Sequence, residues 1–463
     1  MRIFSFSRGA VFSRGDIVFI FLIVILALVI RIDTGSFNPE HRLSADSATY
    51  FRVADQIYYN FFFFDQQRTP VYPLFISITY WLFGYKNFIA ILLCQYAIGI
   101  FTCLLIYLIF KMVTGNMALS FLFAALYCID RTAVYYESMI LTEALGLALF
   151  YLFIFTCVYF YLSARDFSRW IPALGAASLL AIYCRPVFLC VIMPTVLLIA
   201  LKARSAADQG SARKVFIGAS SYLLIVLLPI IGTLLINYYF FKTDPGEFTT
   251  VLRNNPIRKV IQYRMQDKIP DSFGRYKEFV SGFDKIDDRK IQQKLKEYSE
   301  EDGRGEGYYV LQMSRMGMAA IRSHPFEYSF KTALLMPKMY HKLGYRSRRI
   351  RSWIASQETG FVAKALTFID HNLHDRIYYH TFLLAFLAFL AALISAVALG
   401  GETLNLSIVL YANYIFYCFT VAAGSYADYP RKLYIIDPII IVLSAIFVVN
   451  VIRLIRPKSA DSV

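Results

Sequence analysis

An all-α polytopic membrane protein is the fold class that this sequence predicts, and three observations predict it. Of 463 residues, 58% are hydrophobic, and the mean hydropathy is +0.51; a soluble domain averages roughly 45–50% apolar residues. The excess lies in blocks long enough to cross ~30 Å of hydrocarbon. Lys and Arg gather in alternate short connections between those blocks, the asymmetry that orients membrane helices.

In order, the apolar runs fall at about 17–32, 87–110, 116–130, 140–163, 170–184, 186–201, 216–241, 377–399, 404–422 and 433–453. That makes about ten transmembrane helices, several at the lower length limit. The first run has no small-residue cleavage site after it, so it reads as a retained span. Pro172, Pro186 and Pro194 punctuate the fifth and sixth runs, which fit one broken pair.

Placing the N-terminus in the cytoplasm puts 1–16, 111–115, 164–169, 202–214, 400–403 and 453–463 inside. These segments hold thirteen Lys/Arg against five Asp/Glu, as the charge rule requires. Both termini are then cytoplasmic. The remaining positive charge, out of a net +15, belongs to the outside or to the membrane. A cationic outer face suits an anionic partner such as a lipid phosphate; nothing calls for nucleic acid.

Three regions follow. Residues 1–241 form an N-terminal transmembrane module with a first external loop at 33–86. Residues 242–376 form an extracytoplasmic region, and 377–463 a C-terminal transmembrane module. Within the middle region, Asp284–Gly307 is a charged, solvated stretch expected to be a helix and then a turn. Tyr308–Ser323 and Pro325–Tyr340 read as amphipathic helices broken at His324-Pro325, because Pro disfavours a helical residue before it. Phe326, Phe330, Leu334 and Leu335 share a face that suits a helix lying on the membrane.

The candidate chemistry centres on the stretch from Leu43 to Pro73, directly after the first span. Asp46 opens an expected helix there. An Asp in that place caps the helix or, beside a bilayer and partly shielded from water, acts as a base. Glu143 stands at the outer end of the fourth span, where an ionisable group is costly and often functional; a first-turn Glu favoured by the helix dipole is the other reading. Glu137 shares that mouth with Asp130 and Arg131, and the three suit mutual pairing. Arg185, before Pro186, and Arg431 and Lys432, before the last span, fall on the same face. Arg matches phosphate geometry and stays charged, although such residues also snorkel as anchors. Arg68 joins them as a phosphate-binding candidate. Tyr50, Tyr72, Glu137 and Tyr434 are substrate-pocket candidates. The Phe61–Phe64 run fits an interface anchor or an apolar lipid groove.

The seven cysteines lie in or beside apolar runs with no CxxC, and read as small buried hydrophobes. His371 and His374 have the i, i+3 spacing of a metal pair, so a divalent cation is a possible cofactor; ordinary polar surface is the other reading. The sequence carries no P-loop, GxGxxG, HExxH or GxSxG pattern, which leaves nucleotide-dependent chemistry without a basis.

The order of these features resembles the GT-C superfold glycosyltransferases. An early external Asp is followed by Arg68-Thr69-Pro70-Val71-Tyr72-Pro73, then by a Thr142-Glu143-Ala144-Leu145 acid at the fourth span. The Arg185-Pro186 elbow, the His324–Tyr328 run and the Arg431–Pro438 run are similar to the branch with protein O-mannosyltransferases and the lipid A aminoarabinose transferase. The resemblance implies a GT-C-like bundle in a bacterial inner or plasma membrane. It implies an inverting transfer, on the extracytoplasmic face, of a sugar from a polyprenyl phosphate to a lipid, glycan or protein acceptor. Asp46 and Glu143 match the family's acidic positions. Many relatives have paired acids in the first loop, whereas Ser47 follows Asp46 here and Asp55 is too distant to be its twin. A glycan polymerase and a lipid-linked sugar transporter or flippase are the alternatives; the sequence shows no internal repeat of the kind transporters carry.

Overall fold

The computed structural model describes residues 13–34, 43–65, 68–162, 167–205, 211–241, 251–283, 288–302, 306–342 and 402–424, with a few positions between 386 and 446. Among them the secondary structure is entirely helical. Six helices are long and apolar enough to cross a membrane, or seven if one bent pair is a single span. Eight of the expected ten runs fall among the described residues, and there the count is corrected to six or seven. The runs at 377–399 and 433–453 lie largely outside the described residues, and the run at 404–422 forms a helix, Glu402–Gly424, whose apolar part is shorter than a span.

The first span is α1 (Arg14–Thr34). Both of its ends carry a buried charge, and each is paired. Asp16, near the start, accepts from Tyr107 OH at 2.6 Å and from the Lys111 ammonium, both on α4 (Phe88–Thr114). Near its end, Arg31 grips Glu137 through two bonds of 2.7 Å, Nε to Oε2 and Nη2 to Oε1. Neither side chain of that pair reaches solvent. Between α1 and α4 stand α2 (Ala45–Asn60) and α3 (Val71–Phe83), two shorter helices packed on each other.

The third expected span is bent. α5 (Met117–Cys128) stops at Ile129, and α6 (Arg131–Glu137) leaves at 57°. Every residue of α6 is buried, so its first amides need a partner inside the protein. Asp130 supplies one, accepting from Thr132 N at 2.8 Å. Gly99 on α4 makes room: a Cβ there would overlap the Glu137 carboxylate. After α6 a tight turn, 138–142, leads into α7 (Glu143–Leu162). α8 (Phe167–Cys184) ends where Arg185 turns extended before Pro186, as a residue preceding proline prefers. A short 3-10 turn then leads into α9 (Ile192–Ser205) and α10 (Ser211–Phe241).

The middle region holds a second core. α11 (Val251–Gln262), α12 (Arg275–Ser281), α13 (Asp288–Asp302) and α14 (Glu306–Ser323) enclose Ile257, Ile261, Leu295, Tyr309 and Met316. α14 and α15 (Pro325–Lys342) meet at His324, as the proline predicts. Phe326, Phe330 and Leu334 form the exposed stripe of α15, but Leu335 packs inward. The helix Glu402–Gly424, here α16, packs against α15, α9 and the 3-10 turn.

α11 and α14 cross with backbones in near contact at Gly317. A Cβ there would stand 2.6 Å from the Pro256 carbonyl carbon and closer still to Ile257 N. Backbone atoms cannot swing aside, so G317A forces the helices apart. It is expected to destabilise this core by about 1–3 kcal/mol, the usual cost of overpacking. Hydrogen exchange at Ile257–Ile261 and Met313–Ala320 reads the loss.

Candidate active site

Two carboxylate–guanidinium pairs meet where the N-terminal turns of α2 and α7 approach the loop before α3 and the Arg185 elbow. The first is Asp46 and Arg68, at 2.8 Å. Asp46 does not cap α2. Ser44 holds that position, accepting from Ser47 N while the Ser47 hydroxyl receives the Ser44 amide. The cap is therefore complete without the carboxylate, which stands in the first turn with 43% of its side chain exposed. Arg68 is less accessible, at 19%, and its guanidinium is fixed on every side. Nε donates to Thr49 Oγ1 at 2.7 Å, Nη1 to Tyr50 OH at 3.0 Å and Nη2 to Asp46 Oδ1 at 2.8 Å. The plane also lies 4.3 Å from the centre of the Tyr50 ring, a cation–π distance.

The second pair is Glu143 and Arg185, at 3.1 Å and buried. The elbow explains how a cation from the end of α8 reaches the start of α7. The extended Arg185 breaks the helix, and Gly146, one turn after Glu143, lets the arginine stem lie against α7. A Cβ on Gly146 would stand 2.8 Å from Arg185 Cδ. Tyr417 of α16 feels the charges of both members of the pair.

Tyr50 joins the two. Its hydroxyl takes the Arg68 bond and also pairs with the Thr142 side chain, next to Glu143. Burial pushes this phenol above its ordinary value, and the Arg68 and Arg185 cations pull it back. It therefore stays a neutral hydroxyl between the two pairs at working pH.

The turn at 138–142 is held from several helices. Ser47 Oγ donates to Ile140 O at 2.8 Å. Gln95, buried on α4, donates Nε2 to Glu137 O at 2.6 Å and to Met139 O at 2.7 Å, and accepts from Tyr72 OH at 2.7 Å. Thr69 Oγ1 reaches Cys184 O at 3.4 Å, tying the Arg68 loop to the Arg185 elbow. Gln95→Ala strips two buried carbonyls of their donor. The expected loss is about 1–3 kcal/mol of stability, the desolvation cost of unsatisfied buried groups. Thermal unfolding in detergent checks it, with Gln95→Glu as a size-matched control.

The structure thus brings together Asp46, Arg68, Tyr50, Tyr72, Glu143 and Arg185. Glu137 goes elsewhere: its carboxylate is locked to Arg31 of the first span, a partner outside the expected Asp130–Arg131 group. Arg431, Lys432, Tyr434, His371 and His374 lie outside the described residues. Among the described residues, no three His, Cys, Asp or Glu side chains are grouped as a metal site requires. Sequence reasoning missed Gln95, Ser47 and Gly146. A glutamine inside an apolar span is the one signal that pointed to any of them.

No family model matches this sequence, and no curated protein matches it. Among solved structures, the chain is similar to the oligosaccharyltransferase AglB from Archaeoglobus fulgidus, solved with an inhibitory peptide and a dolichol-phosphate. The identity is 10% and the TM-score 0.47, over 94% of this chain and 50% of that one. It is also similar to ArnT from Cupriavidus metallidurans. The apo form gives 14% identity and a TM-score of 0.38, and the form bound to undecaprenyl phosphate gives 15% and 0.36, each over 89% of this chain and 77% of the other. The chain spans half the length of the archaeal protein.

Proposed function

We propose that this protein is an inverting glycosyltransferase that moves a sugar from a polyprenyl phosphate to a hydroxyl or amine acceptor at the extracytoplasmic side of the membrane. The observation that carries the reading is an accessible carboxylate, Asp46, paired with Arg68 and linked through Tyr50 to a second pair, Glu143 and Arg185. Asp46 takes the acceptor proton as the acceptor oxygen or nitrogen attacks the anomeric carbon. The bond from that carbon to the phosphate oxygen breaks, and its electron pair leaves with the polyprenyl phosphate. That leaving group is already anionic, so it needs charge stabilisation more than a proton. Arg68 and Arg185 provide this, with Arg431 and Lys432 as further members of the clamp; preorganised cations of this kind are commonly worth several kcal/mol. Glu143 holds Arg185 in place, and Tyr50 holds Arg68.

The test is direct. The purified protein in nanodiscs, given polyprenyl-phosphate sugars and a membrane lipid and glycan extract, is expected to release polyprenyl phosphate and form a product of inverted anomeric configuration, read by NMR. Mass spectrometry of surface glycolipids and glycoproteins after deletion of the gene identifies the acceptor. Absence of turnover with every lipid-linked sugar tried, together with unchanged surface glycans in the deletion strain, overturns the proposal.

A further inference from the structure

The far end of the α2–α3 hairpin carries a patch that the site does not use. Tyr59, Phe61, Trp81, Leu82, Phe83 and Tyr85 are all exposed there. Phe61 (67% exposed) stacks on Trp81 at 5.5 Å, and Tyr59 packs edge-on to Tyr85 at 5.5 Å. Lys86 closes one side, 4.9 Å from the centre of the Tyr85 ring and 3.8 Å from Asp55 Oδ2.

Two observations point outward from the protein. Phe61 C-caps α2 with φ 52°, in the left-handed region. Glycine is the usual residue for that position, and a bulky aromatic there is a backbone outlier. The Phe61 ring touches Trp81 on one face and is otherwise exposed. The patch is also continuous with a surface that must meet hydrocarbon. α4 begins two residues after Lys86, and its Ile89 and Leu93, one turn apart, are both exposed on a membrane-spanning helix. Aromatic rings with a lysine at the end of a span are the composition of the membrane–water boundary.

We infer that the aromatic tip of the α2–α3 hairpin inserts into the lipid interface at the N-terminal end of α4. The rings of Phe61, Trp81 and Phe83 enter the acyl boundary, while Lys86 and the tyrosine hydroxyls stay at the headgroups. Asp46 sits fifteen residues before Phe61 on the same helix, about 22 Å away at 1.5 Å per residue. The tip therefore fastens one end of the rod whose other end carries the candidate base. The inference does not depend on the proposed reaction.

Trp81 is one of three tryptophans, with Trp170 and Trp353. In a W170F/W353F protein, placed in nanodiscs of lipids brominated near the headgroup, Trp81 is expected to lose most of its emission, and acrylamide in the water is expected to quench it weakly. If the double variant does not fold, wild type minus W81F gives the same quantity. F61G is expected to unfold in detergent no earlier than wild type, yet to weaken the bromolipid quenching. Strong acrylamide quenching with no bromolipid effect overturns the inference. So does protection from both quenchers, which means that this chain, or a second copy of it, covers the patch, and so does an F61G protein that unfolds early in detergent, which means the ring serves the fold.

Discussion

Asp46→Asn is expected to remove transfer activity while leaving the protein folded and able to hold its donor. The amide keeps the size of the carboxylate and can still accept the Arg68 bond, so the local geometry survives. The α2 cap rests on Ser44 and Ser47 and is untouched. The helix loses only a first-turn anion, a loss of about 0.3–1 kcal/mol. What disappears is the ability to take a proton at the moment of attack. General-base catalysis contributes about 10²–10⁴-fold, so kcat should fall by that factor with little change in donor affinity. Steady-state kinetics in nanodiscs, with polyprenyl phosphate binding followed in parallel, separates the two. Turnover within about tenfold of wild type, less than a base supplies, would remove Asp46 from the mechanism.

The largest stability effect is expected at the buried Arg31–Glu137 pair, just before the turn that leads to Glu143. Glu137→Gln leaves the Arg31 guanidinium buried without its carboxylate, with a neutral amide and the Ala27 carbonyl as its acceptors. Removing one partner of a buried pair costs about 3–5 kcal/mol, whereas replacing both with apolar side chains is often neutral. Glu137→Gln should therefore sharply lower the SDS fraction at which the protein unfolds in mixed micelles, and Arg31→Met/Glu137→Met should recover most of the loss. A cost below about 1 kcal/mol would mean that the pair behaves as a solvated one.

Much of the fold was legible in the sequence because a bilayer demands long apolar runs, and six of the first seven expected runs coincide with helices long and apolar enough to span it. The bend between α5 and α6 was not legible. Its run is apolar throughout, and the break depends on Asp130 capping a buried turn that only the neighbouring helices define. In the long region after residue 242 the helices at 308–323 and 325–340 were legible, but their shared core was not, because its residues are dispersed among charges on helices of modest length. At the site, charge and position were enough to single out Asp46, Glu143, Arg68 and Arg185. Their partnership was not visible, since Glu143 and Arg185 are brought together by a proline-induced break and a missing Cβ at Gly146. The cap at Ser44 escaped notice because Ser47 takes the place usually held by Glu or Gln. Arg31 lies inside the first apolar run, and its partner is 106 residues further on.

That separation has a consequence for biosynthesis. A ribosome adding about 5–20 residues per second exposes Arg31 for roughly 5–20 s before Glu137 exists. During that interval the guanidinium has no carboxylate partner, only the Ala27 carbonyl of its own helix, which favours leaving the first span shallow in the bilayer. Synthesis of Glu137 supplies the force that draws α1 to its final depth and folds α6 into the interior. The expected order of insertion is therefore two-step, with an early helix whose buried cation is neutralised only once a later acid has been made.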